Sequence, residues 1–306
     1  MQIRHIVVTG SSGTIGTCLA EKLLERGFRV TGVDIRKNKW SSAVDRNTVL
    51  ADLRDKEAAL AKLPESADLV VHLAANARVY NLVVNPDLAR DNVEMTYTAL
   101  EFARLRNVPR FILASSREVY GNLPKIPPDE DDVRVRNCES TYTFSKLASE
   151  AAAHAYRRCY ELDFLIFRFS NVYGMYDDSD RIIPQFIGRA KAGEPLTVYG
   201  EDKMLDFTYI DDTVNGILLG IERFAIAKNQ TFNIASGRGT TIVEVANLVK
   251  EKMRSSSLVV VGENRTGEVV RYIADISLAQ KFLGYQPAVS IADGIEKSIA
   301  WYGGHT

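Results

Sequence analysis

The sequence predicts an α/β fold, a Rossmann-type doubly wound parallel sheet with a smaller, interleaved C-terminal lobe. Three observations carry this. Short β-branched runs alternate with longer amphipathic stretches from the N-terminus onward, the pattern of βαβ units. A glycine-rich segment, Gly10–Gly16, separates the first apolar run from the first amphipathic stretch. The 306 residues are 46% hydrophobic and 25% charged, enough apolar material for a sizeable core.

Taken in order, Ile3–Thr9 reads as the first strand and Thr14–Arg26 as a helix, with Ile15, Leu19, Leu23 and Leu24 at helical spacing and Gly27 as its stop. Arg29–Val33 is the second strand and Val49–Ala51 a short third. Glu57–Leu63 is a helix ended by Pro64, and Asp68–Leu73 a buried fourth strand. Asn92–Leu105 is helical, Arg110–Ser115 a fifth strand, Tyr142–Cys159 a long helix and Phe164–Phe169 a sixth strand, which completes a core over roughly residues 1–170. Residues 171–306 are less regular. Short strands at Leu196–Tyr199, Phe207–Ile210 and Thr231–Ile234 look like additions to the core, which is expected to receive the segment from about 205 to 235. Helices at Pro184–Ala192, Asp212–Phe224, Ile242–Lys252 and Ile291–Tyr302 supply a lobe over the carboxyl edge of the sheet. The terminal Gly303-Gly304-His305-Thr306 reads as a frayed end and not as a metal site.

Composition excludes several classes. Against 38 Lys and Arg stand 39 Asp and Glu, so there is no basic excess to grip a nucleic acid. No apolar run approaches the roughly 18 residues needed to span a bilayer, and the N-terminus enters the glycine segment too early for a signal peptide. Cys18, Cys138 and Cys159 are odd in number and far apart, which suggests neither a disulfide framework nor a zinc site; a reducing cytoplasm is the expected location.

Gly10, Gly13 and Gly16 lie between a strand and a helix, where glycines allow a tight turn and let backbone N–H groups and the helix dipole meet a pyrophosphate. Thr14 and Ile15 belong to the same turn. Asp34 ends the second strand, where a carboxylate accepts hydrogen bonds from a ribose 2′-hydroxyl and repels a 2′-phosphate, so NAD is expected in preference to NADP. Arg36 and Lys37 read as a solvated loop. Asp52 and Leu53, after the third strand, are placed to cap the adenine, and Ala74 and Ala75 supply small residues beside the cofactor. His72 reads as a packed strand histidine.

Tyr142 and Lys146 stand at i and i+4, on one face of a helix. Chance supplies such pairs, and a second exists at Tyr199 and Lys203. That second pair sits in a turn, whereas Tyr142 opens an amphipathic helix. Ser115 and Ser116 end the fifth strand at the sheet edge where the nicotinamide is expected. A lysine beside a phenol lowers the phenol pKa, so the phenolate can take a hydroxyl proton as hydride leaves the same carbon, and a serine hydroxyl can orient that oxygen.

Together with these, His72-Leu73-Ala74-Ala75, Asn92 after Asn85-Pro86, Ser115-Ser116-Arg117-Glu118-Val119-Tyr120-Gly121, Arg168-Phe169-Ser170-Asn171-Val172-Tyr173-Gly174 and Asp206-Phe207-Thr208-Tyr209-Ile210-Asp211-Asp212 resemble the extended short-chain dehydrogenase/reductase family. The likeness is to its NAD-dependent nucleotide-sugar epimerase/dehydratase branch and spans nearly the whole chain. The resemblance implies Ser116, Tyr142 and Lys146 as the catalytic triad, and Leu73 and Asn92 as part of the cofactor support. It implies Asn171 as a diphosphate contact, with Val198, Tyr199, Arg265 and Arg271 in the nucleotide-binding pieces. Residues 1–170 then form the NAD-binding domain and residues 171–306 most of the nucleotide-sugar lobe. The family usually has arginine where this chain has Leu205, so a diphosphate contact is missing or comes from Lys203.

Relatives that act as dehydratases carry an Asp-Glu pair where this chain has Arg117-Glu118. Glu118 therefore reads either as a possible catalytic group or as a turn residue paired with Arg117 or another cation. The resemblance favours epimerisation at C4, with UDP-glucose and UDP-galactose as the leading substrate pair. Dehydratase, decarboxylase and reductase chemistry, and a non-enzymatic NAD-binding scaffold, are the alternatives. It also implies a homodimer formed through Asn92–Leu105 and Tyr142–Cys159, and no nucleic-acid or membrane partner.

Overall fold

The strands of the computed structural model, which describes residues 2–263 and 269–305, are β1 (His5–Thr9), β2 (Arg29–Asp34), β3 (Thr48–Leu50), β4 (Leu69–His72), β5 (Arg110–Ser116), β6 (Asp163–Phe169), β7 (Asn171–Tyr173), β8 (Leu196–Tyr199), β9 (Met204–Tyr209), β10 (Gln230–Ile234), β11 (Gly239–Thr241) and β12 (Val259–Gly262). Seven of them form one wholly parallel sheet in the order β3-β2-β1-β4-β5-β6-β10. The chain reverses direction across the sheet between β1 and β4. Such a switch point opens a crevice at the carboxyl ends of the strands.

Parallel strands are covered on both faces, and this explains their unbroken apolar runs. Alternation then sorts the side chains. Ile6 and Val8 of β1 enter one core with Leu165 and Phe167 of β6, while Val7 enters the other with Phe111, Phe164 and Ile166. On the first face the Thr14–Glu25 helix packs beside Ile210–Glu222; on the second, Asp87–Leu105 packs beside Thr141–Tyr160.

The segment expected to join the core near 205–235 divides. Gln230–Ile234 pairs with β6 as the seventh strand, whereas Met204–Tyr209 pairs with β7 and β11 in a separate three-stranded sheet, and β8 pairs with β12 in a third. The helix expected from Asn92 begins at Asp87, directly after Pro86, whose fixed φ suits a helix start. The C-terminus corrects another expectation: Gly303, Gly304 and His305 continue the helix that begins at Ile291. His305 Nδ1 donates to Trp301 O at 2.8 Å and its ring stacks on Trp301, which packs edge-on against Trp40. Aromatic contacts therefore hold a glycine-containing turn that has little helix propensity of its own.

Among the described residues no helix is long and apolar enough to cross a membrane, no cluster of metal-ligating side chains occurs, and the three cysteines are free.

Candidate active site

The glycine loop is shaped by backbone-to-backbone approach. Gly10 has φ of +71° and donates to Val33 O at 2.8 Å, and a Cβ there would lie 2.8 Å from Ala74 N. A Cβ on Gly16 would lie 2.0 Å from Gly10 O. Gly13 stands at the start of the Thr14–Glu25 helix, where no side chain caps the first N–H groups, so they remain available to an anion. Asp34 lies beside this turn, its Oδ2 accepting from Ser12 N and its Oδ1 from Arg36 N, both at 3.0 Å. Thr14 Oγ1 donates to Tyr176 O at 3.1 Å, and Ile15 lines the cavity that Ser116 and Tyr142 also line. These residues fit a dinucleotide: a cradle that side chains would fill, open helix N–H groups and a carboxylate at the ribose position. Gly16→Ala is expected to weaken NAD binding at least about tenfold, read by titration calorimetry, because the new methyl must displace the Gly10 carbonyl.

Of the remaining expected cofactor residues, Leu73 and Ala75 line the cavity and Ala74 makes the close approach to Gly10. Leu53 is buried. Asp52 is held by Arg54 at 2.6 Å, which keeps its carboxyl below the usual range, and Arg54 also reaches Asp91 at 3.2 Å. Asn92 ties two elements together: its Oδ1 accepts from Asn76 N at 2.7 Å and its Nδ2 donates to Asn76 O and to Ser145 Oγ. The loop after β4 is thereby fixed to the helix that bears Tyr142.

Ser116 ends β5, and Tyr142 and Lys146 lie on the first turns of the facing helix, which is capped by Ser140 Oγ accepting from Thr143 N. The structure brings the three together in the cavity wall. Lys146 Nζ lies 5.8 Å from the centre of the Tyr142 ring and donates to Ala114 O at 2.9 Å. Burial raises the Tyr142 pKa, which the neighbouring Ser116 side chain opposes, and burial lowers Lys146 to about 8. A buried phenol, a hydroxyl and an ammonium sharing one wall can hold a substrate oxygen and move its proton.

Beneath this wall His72 is a packed strand residue. Thr9 Oγ1 accepts from the N–H groups of Leu73 and Ala74 at 3.2 Å each, so its own proton goes to His72 Nδ1 at 2.8 Å, and Nε2–H faces Thr96 at 3.2 Å. Burial, reinforced by Lys146, pushes the His72 pKa down to about 3. An unfolded chain takes up this proton below about pH 6.5 while the folded one does not. Stability from His72 is therefore complete above pH 6.5 and is lost on acidification at about 1.4 kcal/mol per pH unit. His72→Gln is expected to flatten the fall between pH 6.5 and 5 by one proton's worth in urea unfolding; parallel curves would contradict it.

The cavity, about 330 Å³, is lined by Leu73, Ala75, Ser116, Tyr142, Thr197, Tyr199 and Lys203, among others. Asn171 lines it, but its amide is committed, with Nδ2 donating to Asp206 O at 3.1 Å and Oδ1 accepting from Arg117. Strand parity corrects one expectation: Val198 is fully buried, and its neighbours Thr197 and Tyr199 face the cavity. Arg271 is exposed and bridges the backbone of Met204, while Tyr272 beside it is buried. Arg265 lies outside the described residues. Leu205 and Lys203 both line the cavity, so the position where the resemblance expects arginine is apolar and a cation stands two residues away. Glu118 is buried and paired with Arg117 at 2.8 Å. Residue spacing gave no sign of Arg78, which lines the cavity in an ion pair with Asp180, because the two are about a hundred residues apart and meet only through the fold.

The chain is similar to known proteins over nearly its whole length. Residues 6–235 match the model of the NAD dependent epimerase/dehydratase family. The chain is 31% identical to a putative UDP-glucose 4-epimerase of Methanocaldococcus jannaschii, over 97% of each chain, and 29% identical to a probable UDP-glucuronate 4-epimerase of Rhizobium meliloti, over 97% and 96%. It superposes with a TM-score of 0.90 on the crystal structure of a UDP-glucose 4-epimerase with UDP-glucose from Thermotoga maritima, at 29% identity and covering 98% of this chain and 99% of that one. With the glycine cradle, the acidic strand end and the matching motifs in place, the chain belongs to the NAD dependent epimerase/dehydratase family and is an NAD-dependent enzyme of its nucleotide-sugar branch.

Proposed function

We propose that the protein inverts C4 of a UDP-hexose, interconverting UDP-glucose and UDP-galactose, through a 4-keto sugar. The observation that carries this reading is the buried Ser116–Tyr142–Lys146 wall beside a cavity whose Glu118 is tied to a cation. NAD, when bound, supplies reversible hydride acceptance at C4. Ser116 donates to and orients the sugar O4. Tyr142, which burial alone would keep protonated, takes the O4 proton as the phenolate that Lys146 stabilises, and returns it once the opposite face of the keto sugar is presented. Lys146, protonated through most of the neutral range, stabilises the phenolate, and its bond to Ala114 O keeps the ammonium on the β5 side of the site. Glu118 does not act as a base in this scheme: its Oε1 is engaged by the Arg117 guanidinium at 2.8 Å. That pairing weighs against dehydration or decarboxylation.

Residues up to 170, with β10, hold NAD, and the remaining segments form the nucleotide-sugar lobe. There Thr197, Tyr199 and Lys203 line the cavity with polar groups that suit the nucleotide diphosphate, and Lys203 replaces the cation absent at Leu205. Two copies pair through Asp87–Leu105 and Thr141–Tyr160, where Tyr97, Phe144 and Tyr160 are exposed apolar side chains. Light scattering is expected to give twice the mass of one 34.1 kDa chain.

Proton NMR of the NAD-loaded protein with UDP-galactose tests the activity. UDP-glucose is expected to appear while absorbance at 340 nm stays flat. A sugar left unchanged, or reduced cofactor accumulating in step with product, would contradict it.

A further inference from the structure

Three loops that shape the cofactor cradle each send a side chain to one short segment, residues 176–181, which runs between β7 and the Ile182–Ala192 helix. Thr14, after β1, donates through Oγ1 to Tyr176 O at 3.1 Å; Lys39, after β2, pairs with Asp178; and Arg78, after β4, pairs with Asp180. These loops follow the strands at and beside the switch point, where ligands lie in such sheets. The inner half of the segment is fixed by packing. Tyr176 has φ of +62°, a conformation that is costly for a non-glycine residue and persists only where its surroundings impose it. Here they do: Tyr176 Oη donates to Glu21 Oε2 at 2.6 Å, its ring meets Trp301 edge-on at 5.6 Å, and Tyr302 Oη donates to Asp177 O at 2.6 Å. The outer half depends on the two ion pairs, whose side chains reach water: Lys39 and Asp178 are 56% and 52% exposed, Arg78 and Asp180 28% and 75%. Pairs of this kind contribute little and are screened by salt, so they hold the segment closed without locking it.

Arg78, Asp180 and Arg181 line the cavity together with Ala75 and Ala77 of the loop after β4, so the outer half of the segment is part of the cavity wall. We infer that residues 176–181 are a clasp on the cofactor crevice, hinged at Tyr176 and Asp177 and latched by Arg78–Asp180 and Lys39–Asp178, which opens for NAD to be exchanged. The glycine turn and Asp34 hold the cofactor; the latch sets how long it stays. Release of NAD is then governed by two ion pairs that meet only through the fold, and not by the cradle alone.

The test is exchange of labelled NAD: protein loaded with isotopically labelled NAD is chased with excess unlabelled NAD, and the retained label is followed by rapid filtration. Asp180→Asn is expected to speed release by at least about threefold, the scale of one partly exposed ion pair. Arg78→Asp combined with Asp180→Arg restores the pair with its charges exchanged and is expected to bring release back to within about twofold of the wild type. Slower release in Asp180→Asn would show that a freed Arg78 grips the cofactor, and an unchanged rate would show that the segment does not gate it; either overturns the clasp. So does an exchanged variant that folds and releases NAD as fast as Asp180→Asn. Should the exchanged variant not fold, KCl is raised from about 50 mM to about 0.5 M, and screening is expected to speed release at least about twofold more in the wild type than in Asp180→Asn. Equal factors in the two proteins would overturn the latch.

Discussion

Tyr142→Phe is expected to lower kcat by about 10²- to 10⁴-fold while leaving NAD and UDP-sugar binding within a few-fold of the wild type. The phenol is 7% exposed and lies at the cavity wall between Ser116 and Lys146, so removing its oxygen deletes the proton acceptor and little packing. The loss should therefore fall on kcat and not on KM. Calorimetric titration with UDP separates the two. A variant that turns over within threefold of the wild type would remove Tyr142 from the mechanism, and one that no longer binds UDP would show a structural role instead.

Glu150→Ala is expected to cost about 3–5 kcal/mol of stability, because it strands a buried guanidinium. Arg168 bonds Glu150 through Nε at 2.9 Å and Nη2 at 2.8 Å, and uses Nη1 for Tyr120 Oη at 3.0 Å and Glu130 O at 2.8 Å. Both members are more than nine-tenths buried. Glu150 Oε1 also accepts from Ser115 Oγ at 2.5 Å, so the pair joins the catalytic-site helix to the ends of β5 and β6. Replacing both members together with leucine should cost less than the single change, since no charge is then stranded. Urea unfolding at pH 7.5 measures both, and a single-variant loss below about 1 kcal/mol would contradict this account of the network.

Much of the site was legible because its parts obey local rules. Gly10, Gly13 and Gly16 mark a turn that only small residues permit, Asp34 closes its strand at the expected distance, and Tyr142 and Lys146 share a face by helical spacing. The parallel core announced itself through apolar runs such as Leu69–Val71 and Phe164–Phe167. What was hidden depends on parity and long-range pairing. A one-residue difference in facing puts Thr197 in the cavity and Val198 in the core. β7 and β11 have only three residues each and exist because β9 lies between them. The helical end at Gly303–His305 relies on Trp301 and Trp40, more than two hundred and fifty residues apart in the chain. For Glu118, adjacency suggested the Arg117 pair, and only the fold discloses that both side chains are buried.

The central claim is that hydrogen leaves C4 as hydride and returns to the opposite face of the same carbon. UDP-galactose deuterated at C4, incubated with the NAD-loaded protein and followed by deuterium NMR and mass spectrometry, tests this directly. The predicted product is UDP-glucose that retains deuterium at C4. Deuterium lost to water, or found on another carbon of the sugar, would contradict the mechanism.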